Sequence, residues 1–264
     1  MLCALAVFSL VVGIFVSWIR IRARQLPVDV SRNVLFVTAH PDDELMFFGP
    51  TLLSEIRARA ERPGVTSTKV HLLCLSQGDF YGDGHRRGKE LADACLYLCG
   101  DTKRHADVFR LEVLNDEHLP DSPDVNWPAE AVIKHVVEYI SEHEITKVIT
   151  FDASGVSCHP NHQAIHHAFS QLKAKYIPTA VELWQLQTVP LWRKYSSWLD
   201  VLFTSLLQQP TDRRRTLPIH LLTFSEYLHL FQSLRRHRSQ MLWFRYLYAA
   251  TSRYMLINSL TQLD

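Results

Sequence analysis

Asn33-Val34-Leu35-Phe36-Val37-Thr38-Ala39-His40-Pro41-Asp42-Asp43-Glu44 is the stretch that decides the fold. Its first seven residues are apolar and β-branched without polar alternation, as in a strand buried on both faces of a parallel sheet. Pro41 is preset for a first helical position, and Leu45, Met46, Phe48, Leu52, Leu53 and Ile56 follow at roughly helical spacing. A strand running directly into a helix predicts an α/β domain with a Rossmann-like, mostly parallel sheet and helices on both faces. In such sheets ligands bind beyond the carboxyl ends of the strands, which is where His40 and the three carboxylates fall.

Asp and Glu in a first helical turn can do no more than complement the helix dipole. His40 adds a second chemistry. Imidazole and carboxylate three positions apart across a proline-restricted turn can converge on one ion, so His40 and Asp43 are candidate ligands. Asp42, between them, is then free to act as a base. Glu44 is most simply the first-turn charge of the helix.

The pattern recurs. Thr146 to Phe151 predicts another strand, ending at Asp152, and residues 153–158 a loop leading to His159-Pro160-Asn161-His162. Ala164, Ile165, Ala168, Phe169 and Leu172 mark the next helix. Parallel strands would bring both His-Pro junctions to one sheet edge. His40, Asp43 and one histidine of the second pair would make three protein ligands with an open position, the pattern of a catalytic zinc site; spacing alone does not choose between His159 and His162. Such ligands also accept other divalent ions. Of the 14 histidines, His166 and His167 are expected to be surface or packing residues, and those without a partner motif, His237 among them, are left unassigned.

Ala39-His40-Pro41-Asp42-Asp43-Glu44 followed by His159-x-x-His162 resembles the signature of the zinc-dependent de-N-acetylases that act on N-acetylglucosamine conjugates. The branch acting on N-acetylglucosaminyl-phosphatidylinositol, early in glycosylphosphatidylinositol-anchor synthesis, is the most similar. Thr150-Phe151-Asp152, Arg193-Lys194-Tyr195, and His237-Arg238-Ser239-Gln240 through Arg245 to Ser252-Arg253-Tyr254-Met255 carry the likeness nearly to the C-terminus. The resemblance implies His40, Asp43 and His162 as Zn²⁺ ligands, Asp42 as general base, and His159, as a cation, stabilising the tetrahedral intermediate. Related soluble deacetylases often carry a tyrosine before the second histidine pair, where this chain has Ser157-Cys158. The implied reaction releases acetate and leaves a glucosamine amine.

A third element follows the strand predicted over Val70 to Leu75: the glycine-rich loop Ser76 to Gly84, then a helix from about His85. Arg87-x-x-Glu90 resembles a family feature, and Arg87 is a candidate for a sugar hydroxyl or the inositol phosphate, the alternative being an ion pair on a solvated helix face. Asp79 is a candidate neighbour of the sugar, or simply a turn residue. Pro63-Gly64 reads as a turn after a helix end.

Leu2 to Ile19 carries no charge, and Arg20, Arg22 and Arg24 follow it. About 18 apolar residues just cross a bilayer core of roughly 30 Å. A basic n-region and a cleavage site are missing, so a membrane anchor is expected rather than a signal peptide. Expected boundaries are an anchor over 1–19, a basic juxtamembrane linker over 20–32, and a de-N-acetylase domain over 33–264. By the positive-inside rule that domain faces the cytosol, and the resemblance implies the endoplasmic reticulum membrane. Five cysteines without framework spacing suit a reducing compartment. A formal net charge of +1 offers no field for nucleic acid. Aromatic and aliphatic residues interleaved with arginine over Ser225 to Leu260 suit core packing, a membrane-interface helix, or both. The expected partners are therefore the glycophospholipid substrate and the membrane. Competing functions are a deacetylase for a soluble N-acetylglucosamine conjugate and a non-catalytic membrane scaffold; the anchor weighs against the first and the intact cluster against the second.

Overall fold

The opening apolar run forms β1 (Asn33–Thr38), buried at every residue after Asn33. The computed structural model describes residues 2–25, 27–62, 68–100, 107–175, 181–207 and 218–263. The turn expected at Pro63-Gly64 lies outside them. Six further strands are β2 (Val70–Cys74), β3 (Phe109–Val113), β4 (Ile145–Phe151), β5 (Glu182–Leu186), β6 (Ile219–Leu221) and β7 (Ile257–Gln262). Among the described residues these seven strands make one sheet in the order β3-β2-β1-β4-β5-β7-β6. The first five are parallel; β7 runs antiparallel to β5 and to β6. The expected Rossmann-like, mostly parallel sheet is present, with an antiparallel edge.

From β1 the chain winds outward through β2 and β3, and from β4 it winds the other way through β5. The order therefore reverses between β1 and β4, which are direct neighbours. Crevices for ligands open at such switch points. Both His-Pro junctions leave the sheet here.

The helix after β1 departs from expectation. Pro41 is not its first residue; Asp42 precedes the first turn in a left-handed conformation, φ 104°. A single turn, α2 (Asp43–Met46), is followed by a break and then by α3 (Gly49–Ala60). Aromatic packing accounts for the break. Phe48 turns inward onto Phe36 and Phe151, ring centroids 6.1 and 4.9 Å away. Gly49 can follow because it has no Cβ: one built there would fall 2.6 Å from the Leu230 methyl carbons.

The remaining helices are α4 (Gly84–Cys99), α5 (Ala129–Glu142), α6 (Gly155–Cys158), α7 (Pro160–Lys175), α8 (Leu191–Lys194), α9 (Trp198–Leu207), α10 (Phe224–Leu234) and α11 (Trp243–Thr251). The expected loop over 153–158 thus winds partly into a helical turn, α6. α5 packs with α7, while α10 packs with α2, α3 and α4. Full burial along β1 and β2 requires cover on both faces, which these two groups supply.

The N-terminal helix, α1, spans Leu2–Arg24 and continues through all three arginines. Arginine is a good helix former, and Arg22 Nη1 is anchored on the Leu221 carbonyl at 2.8 Å. Trp18 Nε1 donates to the Leu222 carbonyl at 3.2 Å, and the helix packs on α9 and β6. Its other side is bare: Val7, Phe8 and Phe15 are at least 60% exposed. Ala6–Ala23, with mean hydropathy 1.7, is long and apolar enough to cross a membrane. Cys74, Cys95 and Cys99 are buried free thiols, and Cys158 is exposed.

Candidate active site

The two junctions meet in a cavity of about 760 Å³ whose lining includes His40, Asp42, Asp43, Asp121, His159 and His162. Five of these six were expected at the site. Asp121 was not.

Hydrogen bonds assign the ring nitrogens. His162 Nδ1 donates to the Gly155 carbonyl at 2.9 Å, which leaves a lone pair on Nε2. That atom lies 3.2 Å from Asp43 Oδ2, buried and without a hydrogen bond of its own. His40 Nε2 faces two acceptors, Asp121 Oδ1 and Asn161 Oδ1, each at 3.1 Å. Its proton therefore belongs on Nε2, and the Nδ1 lone pair lies 3.7 Å from the same Asp43 oxygen. Two imidazole lone pairs and a carboxylate oxygen converging in a buried space repel one another unless a cation lies among them. The donor set of nitrogen and oxygen suits zinc or a similar divalent ion. Ring nitrogens of His40, His159 and His162 also lie within 4.8 Å of one another. Both groupings share His40 and His162, so the metal expectation fits the residues present.

Local structure holds these groups in place. The backbone N–H groups of Ala39 and His40 donate to Asp43 Oδ2 at 3.1 and 2.9 Å. The Phe151 ring stacks on His162 with centroids 4.0 Å apart and planes 4° apart. Gly155, at φ +59°, has to be glycine: a Cβ there would meet His162 Cβ at 2.7 Å. Burial works against charge on both His40 and Asp43. The hydrogen bond to Asp121 and the surrounding carboxylates nevertheless raise His40, and His162 and His40 hold Asp43 well below the usual carboxylate range.

His159 is half-buried. Burial, with His40 and His162 beside it, pushes it down to about 4. These surroundings favour neutral imidazole at neutral pH, against the cation expected from the sequence. Asn161 N–H approaches His159 Nδ1 at 3.3 Å, so the ring proton belongs on Nε2.

Asp42 is paired with a distant residue: Arg245 Nη2, on α11, lies 2.8 Å from its Oδ2. Glu44 does more than complement a helix dipole. Its Oε2 accepts the Asp42 backbone N–H at 3.0 Å, and its Oε1 lies 2.7 Å from His237 Nε2, with both side chains fully buried. Glu44 thereby braces the left-handed Asp42, and His237 is not the unassigned histidine that its missing motif suggested. Burial opposes charge on His237, but Glu44, foremost among its polar neighbours, raises its pKa.

Arg87 is buried and lines the cavity, but its guanidinium is engaged by the protein. Nη1 donates to the Gly78 carbonyl at 2.8 Å and to Asp121 Oδ2 at 3.1 Å, and Nη2 to the Pro41 carbonyl at 2.9 Å. It joins the glycine-rich loop to the His-Pro junction and steadies Asp121. Glu90 is not its partner; that carboxylate accepts from Ser239 and Arg86. Asp79 is exposed, does not line the cavity, and accepts the Gly84 N–H at 2.7 Å. Asp121, Asn161, Arg245 and His237 are the residues to which the sequence assigned no site role. His237 and Arg245 stood in stretches already singled out, whereas Asp121 lies in a loop with no motif.

Residues 35–173 match the family model described as GlcNAc-PI de-N-acetylase, PIG-L. The chain is 37% identical over 257 residues to the Bos taurus N-acetylglucosaminyl-phosphatidylinositol de-N-acetylase, covering 96% of this chain and 93% of that protein. It is 38% identical over 228 residues to a probable enzyme of the same name from Schizosaccharomyces pombe, covering 86% of each. Among solved structures, the N,N'-diacetylchitobiose deacetylase of Pyrococcus horikoshii matches with a TM-score of 0.54 at 15% identity, over 88% of this chain and 84% of that one. The zinc-inhibited form of teicoplanin deacetylase Orf2 matches with a TM-score of 0.52 at 15% identity, over 88% of this chain and 99% of that one. At such identity these two share its fold.

Proposed function

The chain belongs to the GlcNAc-PI de-N-acetylase (PIG-L) family, and from that membership we propose that it hydrolyses the N-acetyl group of N-acetylglucosaminyl-phosphatidylinositol. The products are glucosaminyl-phosphatidylinositol and acetate, in glycosylphosphatidylinositol-anchor biosynthesis. The observation that carries this reading is the convergence of His40, Asp43 and His162 lone pairs beside Asp42, a carboxylate held by Arg245, in the cavity where both family motifs meet.

His40, Asp43 and His162 would hold a divalent ion, with zinc the best match to the donor set. When bound, such an ion polarises the amide carbonyl and makes water acidic enough to react at neutral pH. Asp42 takes the proton of the attacking water, with Arg245 and Glu44 fixing its direction. His159, neutral with its proton on Nε2, donates a hydrogen bond to the oxygen that gains charge. Having gained a proton, Asp42 can pass it to the departing glucosamine nitrogen, so the proton balance closes within the site. Arg87 acts through Asp121 and the loop backbone, as a positioning residue.

We assign α1 as the single membrane span, with the domain over 33–264 on the cytosolic side of the endoplasmic reticulum. Its bare apolar surface and the arginines of its last turns support this. The exposed Trp243, Phe244 and Leu247 of α11, beside the cavity, support a second contact with the membrane surface. Protease protection in sealed microsomes tests the orientation; a protected domain overturns it. Acetate release from N-acetylglucosaminyl-phosphatidylinositol by the detergent-solubilised full chain, with and without chelator, tests the activity. No release with any divalent metal would exclude it.

A further inference from the structure

Lys194 ends the short helix α8, whose Leu191 and Trp192 are 72% and 57% exposed, yet Lys194 itself is only 6% exposed and lines the cavity. Its Nζ donates to the Val156 carbonyl at 3.0 Å. No carboxylate among the described residues pairs with it, and burial lowers its pKa. The other long cations of the cavity differ: Arg87 is bound to Asp121 and Arg245 to Asp42. An ammonium has three donors. Beyond that hydrogen bond the ammonium meets only the Phe47 and Tyr195 rings, centroids 6.0 and 5.7 Å away, so no anion of the protein neutralises it, and such a group is costly to bury without a counter-charge. The partner is therefore expected from the ligand.

We propose that Lys194 is the specificity residue that binds the phosphodiester of the substrate, an inference that rests on the glycophospholipid reading above. The geometry favours this anion over the oxyanion at the reacting amide. The developing oxyanion already has the metal ligands and His159 around it. Lys194 instead belongs to a segment that passes from exposed apolar residues to a buried cation within one helical turn. Tyr195, next in the chain, has its ring centroid 6.4 Å from that of Tyr248, which with Phe244 and Leu247 forms the apolar side of the same cavity. A phosphodiester has that same placement in the substrate, between polar sugars and apolar acyl chains. Fixing it orients the glycan toward the metal ligands. Lys194 also belongs to the Arg193-Lys194-Tyr195 motif, whose arginine is taken up by Asp200 at 2.6 Å, while Lys194 and Tyr195 both line the cavity and Lys194 is the charged one.

The test uses the detergent-solubilised full chain and three substrates: the lipid, its deacylated glycerophospho form, and phosphate-free N-acetylglucosaminyl-inositol. In Lys194→Met, the ratio of kcat/KM on either phosphate-bearing substrate to that on the phosphate-free one should fall about tenfold or more, chiefly through KM, as expected for loss of a charge-assisted contact. Lys194→Arg should restore most of the ratio. Equal losses on all three substrates would overturn the proposal, because an oxyanion contact or a bracing role for the 155–156 turn acts without regard to phosphate. A ratio unchanged from wild type would overturn it as well. Metal content and the unfolding midpoint are measured on each variant; if Lys194→Met does not fold, Lys194→Gln, which keeps a donor for Val156, carries the same comparison. Wild-type protein inactive on every substrate would instead remove the glycophospholipid reading on which the proposal stands.

Discussion

Arg245 Nη2 lies 2.8 Å from Asp42 Oδ2 across 203 residues of sequence. The contact ties α11 to the proposed base, so a helix with exposed aromatic residues on one side holds that carboxylate with the other. Replacing Arg245 with Met should lower kcat by about 10- to 100-fold, the effect of losing roughly 1.5–3 kcal/mol from a charged hydrogen bond. Metal content should stay at the wild-type level. Wild-type turnover in this variant would show that the pair does not orient Asp42.

Asp42→Asn should retain the metal while turnover falls by about 10²- to 10⁴-fold, the usual contribution of a positioned acid–base group. Metal analysis of the purified variant, beside an acetate-release assay, separates base from ligand. Loss of the ion would make Asp42 a ligand.

His162→Ala should lose the ion. The side chain is buried, its Nδ1 is committed to Gly155, and its Nε2 has no other partner. Retention of a full equivalent of zinc, measured by elemental analysis after dialysis, would point to a site built without His162.

Glu44 and His237 form a pair 2.7 Å apart in which neither side chain is exposed. Glu44→Ala leaves the histidine without its counter-charge and the Asp42 backbone N–H without its acceptor. A loss of about 3–5 kcal/mol is expected, as for other broken buried pairs. Urea unfolding in detergent measures it, and a change within about 0.5 kcal/mol would mean that the pair contributes nothing to stability.

His220 supplies a pH dependence. Burial holds it down to about 4, below its ordinary 6.5, so the unfolded chain takes up the proton first as pH falls. Its contribution therefore favours the folded state above 6.5 and is lost progressively between 6.5 and about 4, by up to about 1.4 kcal/mol per pH unit. His220→Asn should flatten the fall in stability over this window. The same slope in variant and wild type, from urea midpoints at pH 7 and pH 5, would remove His220 as its cause.

The strand-to-helix junctions were legible because their signals are local. An uninterrupted apolar run, a proline and a cluster of ligand-type side chains within five residues carry both the element type and its chemistry. The break at Phe47-Phe48 was not legible, since periodicity continues through it and only packing on Phe36 and Phe151 interrupts the helix. The antiparallel edge was hidden for a similar reason. β6 has three residues, too few for a pattern, and its pairing depends on β7.

Sequence by itself determined that this chain builds a mostly parallel α/β sheet, from the apolar runs that lead into helices, and that one end of it gathers metal-ligand side chains, because His40 and Asp43, and likewise His159 and His162, sit three positions apart. Tertiary structure alone decided how those groups are held and what accompanies them. Glu44 and His237 are 193 residues apart and Asp42 and Arg245 are 203 apart, separations at which chain spacing says nothing about distance. Lys194 likewise became a buried cation only when α8 folded over the 155–156 turn. Contacts of this kind form only when the chain closes on itself, and they supply the orientation and charge that the local motif lacks.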